Sequence, residues 1–465
     1  MAPALPYAFA LVLGMGTAFL ERPWILLPAF ILLFWQERPR ALLLLIVSVA
    51  SYFFAVFHLP PTVEAKTGYF RPKLMKAGRS PFGMYALAAG SLTTEEGSFP
   101  CSIYLPYNGR KILMNQDYIV EGEQKIRDRF QSNFKVKKWR AVPGTFRMAE
   151  KRFLAKKWVR AYLRKKIRDK QAFQLVAALA TGELMEKSLA YDFGRLGLMH
   201  LLAISGFHFS LLALFIGKIF IRLLPKKIAG SFLLMLLCLF YLYMGPTASV
   251  MRAGITILLP MIGQFFDLKM PPLNALALAA IIALLLHPLA LTNLGFQLSY
   301  LATYGILALY EPLCKLVGHV LHIRTKEEAL ALSLADKHGY LLVTFFRLAI
   351  TLTLSATLIT LPLTLLVFGK FPLLSLFYNF FFPLGVALLL FLLLSSFLCP
   401  FLFPLVEFVA KNLLVFTQHP PKKLDFTLHT PFLTLEVVIL LLTLFTLVRV
   451  DFIGSFRRKW GLWRP

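Results

Sequence analysis

The chain has 465 residues, of which 58% are hydrophobic, and its mean hydropathy is +0.68. Apolar residues recur in blocks of about twenty, the length that crosses a bilayer as a helix, so composition predicts a polytopic α-helical membrane protein and excludes an ordinary soluble enzyme. The formal net charge of +27 is large for so apolar a chain, and cytoplasmic loops account for only part of it. The four cysteines are scattered, with no disulfide framework or metal-binding spacing.

Residues 1–61 form the first predicted unit, a group of N-terminal transmembrane helices. The apolar segments 5–20 and 41–57 are each predicted to span the bilayer, whereas 24–35 is short and is expected to be tilted or re-entrant. The basic loop 37–40 is expected on the cytoplasmic side, which places the chain after residue 57 on the outer face. The N-terminus lacks the basic start of a signal peptide, so we expect the first apolar block to be a retained anchor.

Residues 62–170 contain no spanning run and alternate short β-prone pieces with turn residues. The predicted strands are 68–70, 99–105, 110–114, 118–120 and 134–139, and Asn108-Gly109 predicts a hairpin turn. Short strands within about a hundred residues predict a small β-barrel, OB-fold-like, inserted between two helical membrane blocks. This unit holds 25 Lys and Arg against nine Asp and Glu, a net of +16, which is more than half of the surplus of the whole chain.

A basic barrel with interleaved aromatic residues suits single-stranded nucleic acid, since cations follow the phosphates and rings stack on the bases. The candidate DNA-binding residues are Arg110, Lys111, Lys135, Lys137, Lys138, Trp139 and Arg140. A solvated basic surface, or attraction to anionic lipid headgroups, explains the same composition.

The end of this unit, residues 150–170, places apolar residues at near-helical spacing among Lys and Arg. The pattern predicts an amphipathic helix. It fits a helix lying on the membrane surface and equally a helix that packs on the barrel and presents its basic face to a polyanion.

Residues 171–450 form the second membrane block, followed by a basic cytoplasmic tail at 451–465. Nine spans are predicted, at 197–220, 228–244, 250–266, 273–286, 294–316, 341–368, 373–398, 401–416 and 432–448. With the three N-terminal segments they give twelve spans if all of them cross. Segment 250–266 is the weakest, because Arg252 lies near its start and Pro260 interrupts it, and it is alternatively re-entrant.

Polar residues concentrate in the first of these predicted spans. His200, Ser205 and His208 lie in an apolar run with Gly206 between them. Polar side chains at membrane depth usually face a bundle interior or a water-filled cavity, and a Ser-Gly pair is a place where a helix kinks or breaks. The alternative is a helix packing site, with small residues allowing close approach and each His bonded to a neighbouring helix.

Three more polar residues fall within later spans, namely Arg252, Gln297 and Asn379. An arginine at this depth either snorkels to an interface or faces a cavity and meets a phosphate or carboxylate. Gln297 and Asn379 are each explained singly as hydrogen bonding between helices. Together with the polar residues of the first span they predict a polar substrate path.

Several chemical classes are not represented in the sequence. A GxxxxGK[ST] phosphate loop and an HExxH metal site do not occur, so we expect no cofactor, no metal and no enzymatic activity. One enzymatic alternative stays open, an intramembrane hydrolase that uses Ser205 with His208. It is disfavoured because neighbours at i, i+3 on one helix rarely point a hydroxyl and a ring at one substrate atom.

Motifs along the chain resemble those of ComEC-type competence proteins, the inner-membrane DNA uptake channels of natural transformation. Residues 197–208 (GLMHLLAISGFH) resemble the family signature, and 177–184 (AALATGEL) resemble the segment that leads into it. Residues 142–146 (VPGTF) look like the Pro-Gly-x-Phe at the end of the soluble domain of the family, and 244–254 (MGPTASVMRAG) look like its Gly-x-x-x-Ser-x-x-Arg-Ala motif.

The resemblance continues to about residue 384. His287-Pro288-Leu289 with 294–299 (LGFQLS) is similar to the Asp-Pro-Leu and Gly-Phe-Gln-Leu-Ser of the family, although His287 replaces the usual acidic residue. The closing pattern is matched by Leu361-Pro362, Phe368-Gly369, Asn379 and Pro383.

The resemblance implies a channel in the bacterial inner membrane that passes one DNA strand to the cytoplasm. It places His200, Ser205, Gly206, His208, Arg252, Gln297 and Asn379 at motif positions. The expected partners are single-stranded DNA, membrane lipids, a DNA receptor on the outer face, and a cytoplasmic ATPase, helicase or ssDNA-binding protein. Many relatives carry a metallo-β-lactamase-like domain that is not found in these 465 residues, so we expect a separate nuclease to degrade the other strand. The alternative is a transporter of another polyanion or of a lipid-linked substrate.

Overall fold

The computed structural model describes residues 3–20, 26–59, 66–80, 83–94, 97–106, 117–128, 131–142, 148–184, 186–202, 204, 206–321, 324, 328, 333–418 and 427–429. Predicted features at Asn108-Gly109, at 110–114, and at 432–465 lie outside these ranges, as do Arg110, Lys111 and Ser205. Within the described residues the chain forms a closed five-stranded barrel between two groups of mostly apolar helices.

The N-terminal unit consists of three helices, α1 (Leu5–Phe19), α2 (Leu27–Gln36) and α3 (Ala41–Phe57). Close packing of α1 on α3 depends on Gly14, because a Cβ at that position would lie 2.0 Å from the carbonyl oxygen of Ser48. The Ser48 hydroxyl lies 3.1 Å from the carbonyl oxygen of Ala10 and donates to it. Small residues and a hydroxyl thus hold these two helices together, as is common between membrane helices.

The barrel is built from β1 (Thr67–Ser80), β2 (Gly83–Thr94), β3 (Gly97–Pro106), β4 (Asp117–Asp128) and β5 (Gln131–Val142). The strands are ordered β1-β2-β3-β5-β4 around the barrel, which closes by pairing β4 with β1. All pairs are antiparallel except β3 with β5. Its core includes Phe70, Ile103, Tyr118 and Phe134, all fully buried. The predicted small β-barrel is therefore confirmed at the level of a closed five-stranded barrel.

Strand β2 has no counterpart among the predicted strands. Its central residues are mostly Ala, Gly and Ser, which have low β propensity and give little alternation. Glycine is required at position 90, since a Cβ there would lie 2.0 Å from the carbonyl oxygen of Arg71 on the neighbouring strand. Close packing against the neighbouring strand thus favours a residue type with low β propensity, and the alternation that would predict a strand is weak.

Helix α4 (Met148–Lys166) connects the barrel to the second helical block. Its first turns place Ala149 and Phe153 against the barrel core. Its last turn places Leu163 in a large buried cluster with α5 (Lys170–Thr181) and later helices. The amphipathic helix predicted at 150–170 is therefore present, but it ends at Lys166 and its inner side is buried by the protein at both ends.

The second block continues with α6 (Lys187–Arg195), α7 (Met199–Leu202), α8 (Gly206–Leu223), α9 (Lys226–Met244), α10 (Ala248–Phe265), α11 (Pro272–Leu286), α12 (Leu294–Val320), α13 (Leu334–Phe368), α14 (Leu374–Leu398) and α15 (Phe403–Gln418). A short pair of strands, β6 (Lys370–Pro372) and β7 (Thr427–His429), lies beside them.

Five helical segments of the described residues are long and apolar enough to cross a membrane. They are Gly206–Leu223, Lys227–Met244, Ala335–Phe368, Leu374–Leu398 and Pro400–Gln418. Four shorter apolar helices accompany them, including α1, α3 and α11. The chain is thus a helical membrane protein, and the predicted total of twelve spans stays a prediction.

Candidate functional site

The segment that carries His200 and Gly206 is not one continuous helix. Helix α7 ends at Leu202, Ile204 has no regular structure, and α8 begins at Gly206. The predicted single span 197–220 is therefore wrong as a continuous helix, and the alternative break near the Ser-Gly pair is confirmed. An interrupted helix exposes the first-turn N–H groups of α8, which carry the positive end of the helix dipole, inside the bundle.

Arg252 lies against this break. It is only 8% exposed, and a Cβ built on Gly206 would lie 3.2 Å from its Nη2 atom, so the guanidinium packs closely on this glycine and would have to shift slightly for any larger residue. Its Nε donates to the Ser299 hydroxyl at 2.8 Å. Helices α8, α10 and α12 thus meet at one buried cation.

No Asp or Glu in the described part of the chain forms a salt bridge with Arg252. Ser299 supplies a neutral hydroxyl, and the next residue on α12, Tyr300, has a buried phenol oxygen without a hydrogen-bond partner. A buried arginine without a carboxylate, beside the positive end of a helix, forms a site of positive potential. Such a site favours an anion that arrives from outside the protein.

The other predicted path residues have varied surroundings. The His200 ring Nδ1 lies 3.1 Å from the carbonyl oxygen of Gly197, and the Gln297 amide donates to the carbonyl oxygen of Leu291 at 2.8 Å, so both bond to nearby backbone. His208 is 4% exposed and packs edge-on against Phe207.

Asn379 is half-buried on α14, and its side-chain oxygen is buried without a hydrogen-bond partner. Pro383, one turn later on the same helix, has no N–H to donate to the Asn379 carbonyl oxygen. Both features make this turn more polar than its apolar sequence suggests. The structure brings Gly206 and Arg252 together, and among the described residues no hydrogen bond joins either of them to Gln297 or Asn379.

A buried ion cluster joins α4 to the break, and the sequence analysis did not identify it. Arg160 Nη2 lies 3.1 Å from Glu183 Oε2 and donates to Thr181 Oγ1 at 3.1 Å. Lys156 Nζ lies 3.6 Å from Glu183 Oε1 and donates to the carbonyl oxygen of Met244 at 3.1 Å. Burial lowers the pKa of the Arg160 guanidinium, whereas the Glu183 carboxylate raises it.

Gly182 connects this cluster to the interrupted helix. Its φ of +68° is the left-handed conformation that ends α5, and a Cβ there would lie 2.7 Å from a side-chain carbon of Ile204. The motif 177–184 thus contacts the break at Ile204 and α4 at Glu183. The pattern Thr181-Gly182-Glu183 was visible in the sequence, but its partners on α4 were not.

The candidate nucleic-acid interface lies on β5. Lys135, Lys137, Lys138 and Arg140 are all exposed, and a register shift opposite Glu121 and Gly122 leaves two consecutive lysines on the outer surface. Lys137 forms an ion pair with Glu123 on β4.

The aromatic residues near this strand differ in exposure. Trp139 is half-buried and packs edge-on against Tyr118 at the core, with ring centroids 5.7 Å apart. Tyr104 on β3, which the sequence analysis did not single out, is 45% exposed and is the register partner of Lys135. The arrangement therefore presents a stacking ring beside exposed cations, with Tyr104 more accessible than Trp139.

The fold and these sites define a helical membrane protein with an inserted basic barrel and an interrupted, internally polar helix. Among the described residues, no group of three or more His, Cys, Asp or Glu is placed to hold a metal ion. The family model described as competence protein matches residues 178–452, which is more than half of the chain. The chain belongs to the competence protein family.

Two curated proteins are similar to part of this chain. ComE operon protein 3 of Bacillus subtilis (strain 168) is 32% identical over 136 residues, which is 29% of this chain and 18% of the relative. An uncharacterized protein of Mycoplasma pneumoniae, the MG316 homolog, is 33% identical over 137 residues, or 29% of this chain and 35% of the relative. The matched region thus covers well under two thirds of either relative, and no solved structure matches the chain.

Proposed function

We propose that this protein acts in DNA uptake during natural transformation, as a channel that passes single-stranded DNA across the bacterial inner membrane. Membership of the competence family supports the role in uptake. The observation that carries the channel proposal is the buried Arg252 guanidinium at the start of α8, whose polar neighbour is a hydroxyl and not a carboxylate.

A phosphodiester is a fitting ligand for this site. Guanidinium pairs with phosphate through two parallel hydrogen bonds, and the first turn of a helix adds backbone donors and a favourable dipole. Conduction also requires that each contact be weak enough to release its ligand. One buried arginine with a neutral partner meets that requirement better than a row of arginines.

The barrel would capture the strand before it enters. A closed five-stranded barrel in which β4 returns beside β1 is compatible with an OB-fold, a class that binds oligonucleotides on its sheet surface. The exposed Tyr104 beside Lys135 supplies a ring and a cation at neighbouring positions. In this proposal Lys135, Lys138 and Arg140 contact phosphates.

The proposal assigns transport and no chemistry to this chain. A receptor on the outer face would deliver DNA, a separate nuclease would remove the other strand, and a cytoplasmic ATPase, helicase or ssDNA-binding protein would draw the strand in. Another polyanion or a lipid-linked substrate is the alternative cargo, and the experiment below distinguishes it.

The test separates binding from internalisation in cells. A naturally transformable strain that lacks its own competence channel is complemented with this chain, or with Arg252→Gln, and given labelled DNA. We expect wild-type complementation to restore nuclease-resistant internal DNA. We expect Arg252→Gln to keep surface-bound DNA and to lower internal DNA about 10- to 100-fold, the loss of one charge-assisted contact.

The matched control is Arg347→Gln. Arg347 is also a buried arginine, 6% exposed, but lies on α13 and donates to the carbonyl oxygen of Leu321 at 3.4 Å. The amount of each variant in the membrane is measured by immunoblot. If both variants lose internal DNA equally while equal amounts of them are present in the membrane, Arg252 is not part of the DNA path. Wild-type protein that restores no uptake would favour another cargo.

A further inference from the structure

Helix α4 has an outer face that the proposed DNA path does not use. Its inner face is occupied at every turn by Ala149, Phe153, Lys156, Arg160 and Leu163, which the barrel, the ion cluster and the bundle bury. These positions repeat at three and four residues, so the opposite side of the helix carries the residues between them.

The outer face of α4 combines exposed apolar and basic side chains. Leu154 is 48% exposed and Trp158 is 64% exposed, one turn apart on the same side of the helix. Lys157, Lys165 and Lys166 are exposed on this face and its flanks. Contact with water does not explain why a leucine and a tryptophan are exposed among lysines. A surface that lies on a bilayer requires both apolar and basic side chains.

This face is continuous with the end of a membrane-spanning helix. The Trp158 ring stacks on Tyr162 with centroids 5.8 Å apart, and Tyr162 stacks on Phe397 at 5.6 Å. Phe397 lies in the last turn of α14, a 25-residue apolar helix that is long enough to cross the bilayer. The row of rings therefore leads from α4 to the last turn of α14.

The residues beside this row are apolar and exposed. Leu398 is 85% exposed and Phe401 is 79% exposed, so this end of α14 presents a surface suited to acyl chains and not to water. Tryptophan and tyrosine favour the boundary between hydrocarbon and headgroups, and lysines there extend their ammonium groups toward phosphate. The position of α4 meets both conditions.

We propose that the outer face of α4 lies in the headgroup layer and binds anionic phospholipid, with Leu154 and Trp158 among the upper acyl carbons and Lys157, Lys165 and Lys166 on headgroup phosphates. The apolar residues favour a lipid over a nucleic acid, since a DNA strand has no hydrocarbon in which to bury Leu154. Through Glu183 and Ile204, lipid held here would fix α4 and with it the interrupted helix.

The test uses the full chain in nanodiscs that contain a neutral lipid with a small fraction of fluorescent phosphatidylglycerol, competed with unlabelled phosphatidylglycerol or phosphatidylcholine. A variant with Lys157, Lys165 and Lys166 changed to Gln should lose the preference for the anionic competitor, about fivefold for each cation removed. A second variant removes three cations from the barrel (Lys135, Lys138 and Arg140 changed to Gln) and should keep the lipid preference while losing affinity for labelled single-stranded DNA.

Depth is read independently from the fluorescence of Trp158. The chain has six tryptophans, so the Trp158 signal is the difference between wild type and Trp158→Phe. We expect this signal to be quenched by lipids brominated near the headgroup, more than by lipids brominated near the bilayer centre and more than by aqueous iodide.

Three outcomes would overturn the proposal. The first is a Trp158 signal quenched by iodide and untouched by brominated lipid. The second is an α4 variant that loses DNA affinity with its lipid preference unchanged, which would assign the face to a polyanion. The third is a correctly folded α4 variant that changes neither, which would make the face a solvated surface.

Discussion

The barrel and the bundle use basic residues in opposite ways. On β5 the cations are exposed, several together, with Glu123 already paired to Lys137. The bundle and its junction with α4 contain, besides exposed cations, buried ones that each have a specific partner: Arg252 bonds to Ser299, and Arg160 pairs with Glu183. Water screens the first group and makes its members nearly interchangeable, whereas burial makes each member of the second group depend on a specific contact.

This difference assigns different tasks to the two regions. A set of screened cations attracts a polyanion over a distance and holds it in a salt-dependent way without fixing its position. A single buried guanidinium acts only at contact. In the function that we propose, capture would therefore be the task of the barrel, and selection of what passes would be the task of the bundle.

The largest effect is expected from Glu183→Gln. This change removes the carboxylate that lies beside both Lys156 and Arg160, whose side chains are 6% and 13% exposed, so two buried ion pairs are lost at once. We expect a loss of about 3–5 kcal/mol in the free energy of unfolding. Denaturant unfolding of the purified chain in detergent measures it.

The control for this prediction is Lys411→Gln. The Lys411 ammonium lies 3.1 Å from Glu407, but its side chain is 50% exposed, so the loss should be about 1 kcal/mol or less. If both variants lost equal stability, the contrast between buried and exposed ion pairs would not hold in this protein.

The next largest effect is expected from Arg252→Lys, which keeps the positive charge but removes the planar guanidinium with its several N–H donors. A lysine ammonium cannot hold the Ser299 hydroxyl and a phosphate in the geometry that a guanidinium allows. We expect internal DNA to fall, but by less than in Arg252→Gln, so that its level lies between those of wild type and that variant. Uptake at the wild-type level would show that a positive charge alone is sufficient at position 252. The buried cation of the bundle would then be as replaceable as we infer the exposed cations of the barrel to be.

A smaller, salt-dependent effect is expected on the barrel. Changing Lys135, Lys138 and Arg140 to Gln should weaken binding of single-stranded DNA by the full chain. It should also reduce the slope of log affinity against log salt by about 2, since each phosphate contact contributes about 0.7. Fluorescence anisotropy over a salt series measures both. An unchanged slope would exclude these three cations from the interface.

The smallest effect is a pH dependence at His287, which follows α11 and is influenced by the charge of Lys73 in the barrel. Desolvation lowers the pKa of His287, and the Lys73 ammonium on β1 lowers it further. Because the unfolded chain then binds more protons, the stability from neutral His287 is present above pH about 6.5 and is lost as pH falls below it.

His287→Asp restores the acidic residue that the resemblance leads us to expect there, and it places a carboxylate near Lys73. We expect this variant to lose less stability than wild type between pH 7.5 and 5.5, by under about 1 kcal/mol because both groups are partly exposed. Thermal unfolding at the two pH values compares them, with His287→Gln as the uncharged reference. If the stability of all three chains depended on pH in the same way, the charge at position 287 would have no effect on stability.

Much of the helical architecture was predictable because apolar blocks of sufficient length have few alternatives in a bilayer. The predicted segments at 228–244 and 273–286 agree with α9 and α11 to within two residues. Predictions were less accurate where local signals were weak, as in β2, whose small residues serve contacts with a neighbouring strand.

The candidate site was predicted in part. Arg252 was recognisable as a charged residue in an apolar segment, and the Ser-Gly pair as a place for a break. Ser299 and Glu183 lie in the motifs 294–299 and 177–184, but their residue types alone do not indicate their roles. Their roles depend on which helix lies opposite, and one sequence without aligned relatives gives no information on distant contacts.

The sequence by itself determined the class of protein, the inserted basic unit and the positions where polar residues interrupt apolar segments, because hydrocarbon restricts what can lie inside a membrane. Tertiary structure decided which of those polar residues meet. Arg252 reaches Gly206 from a separate helix more than forty positions away, and Glu183 is neutralised by residues that the sequence assigned to the soluble unit. Burial creates these contacts, because a charge removed from water is stable only beside a partner that the fold provides.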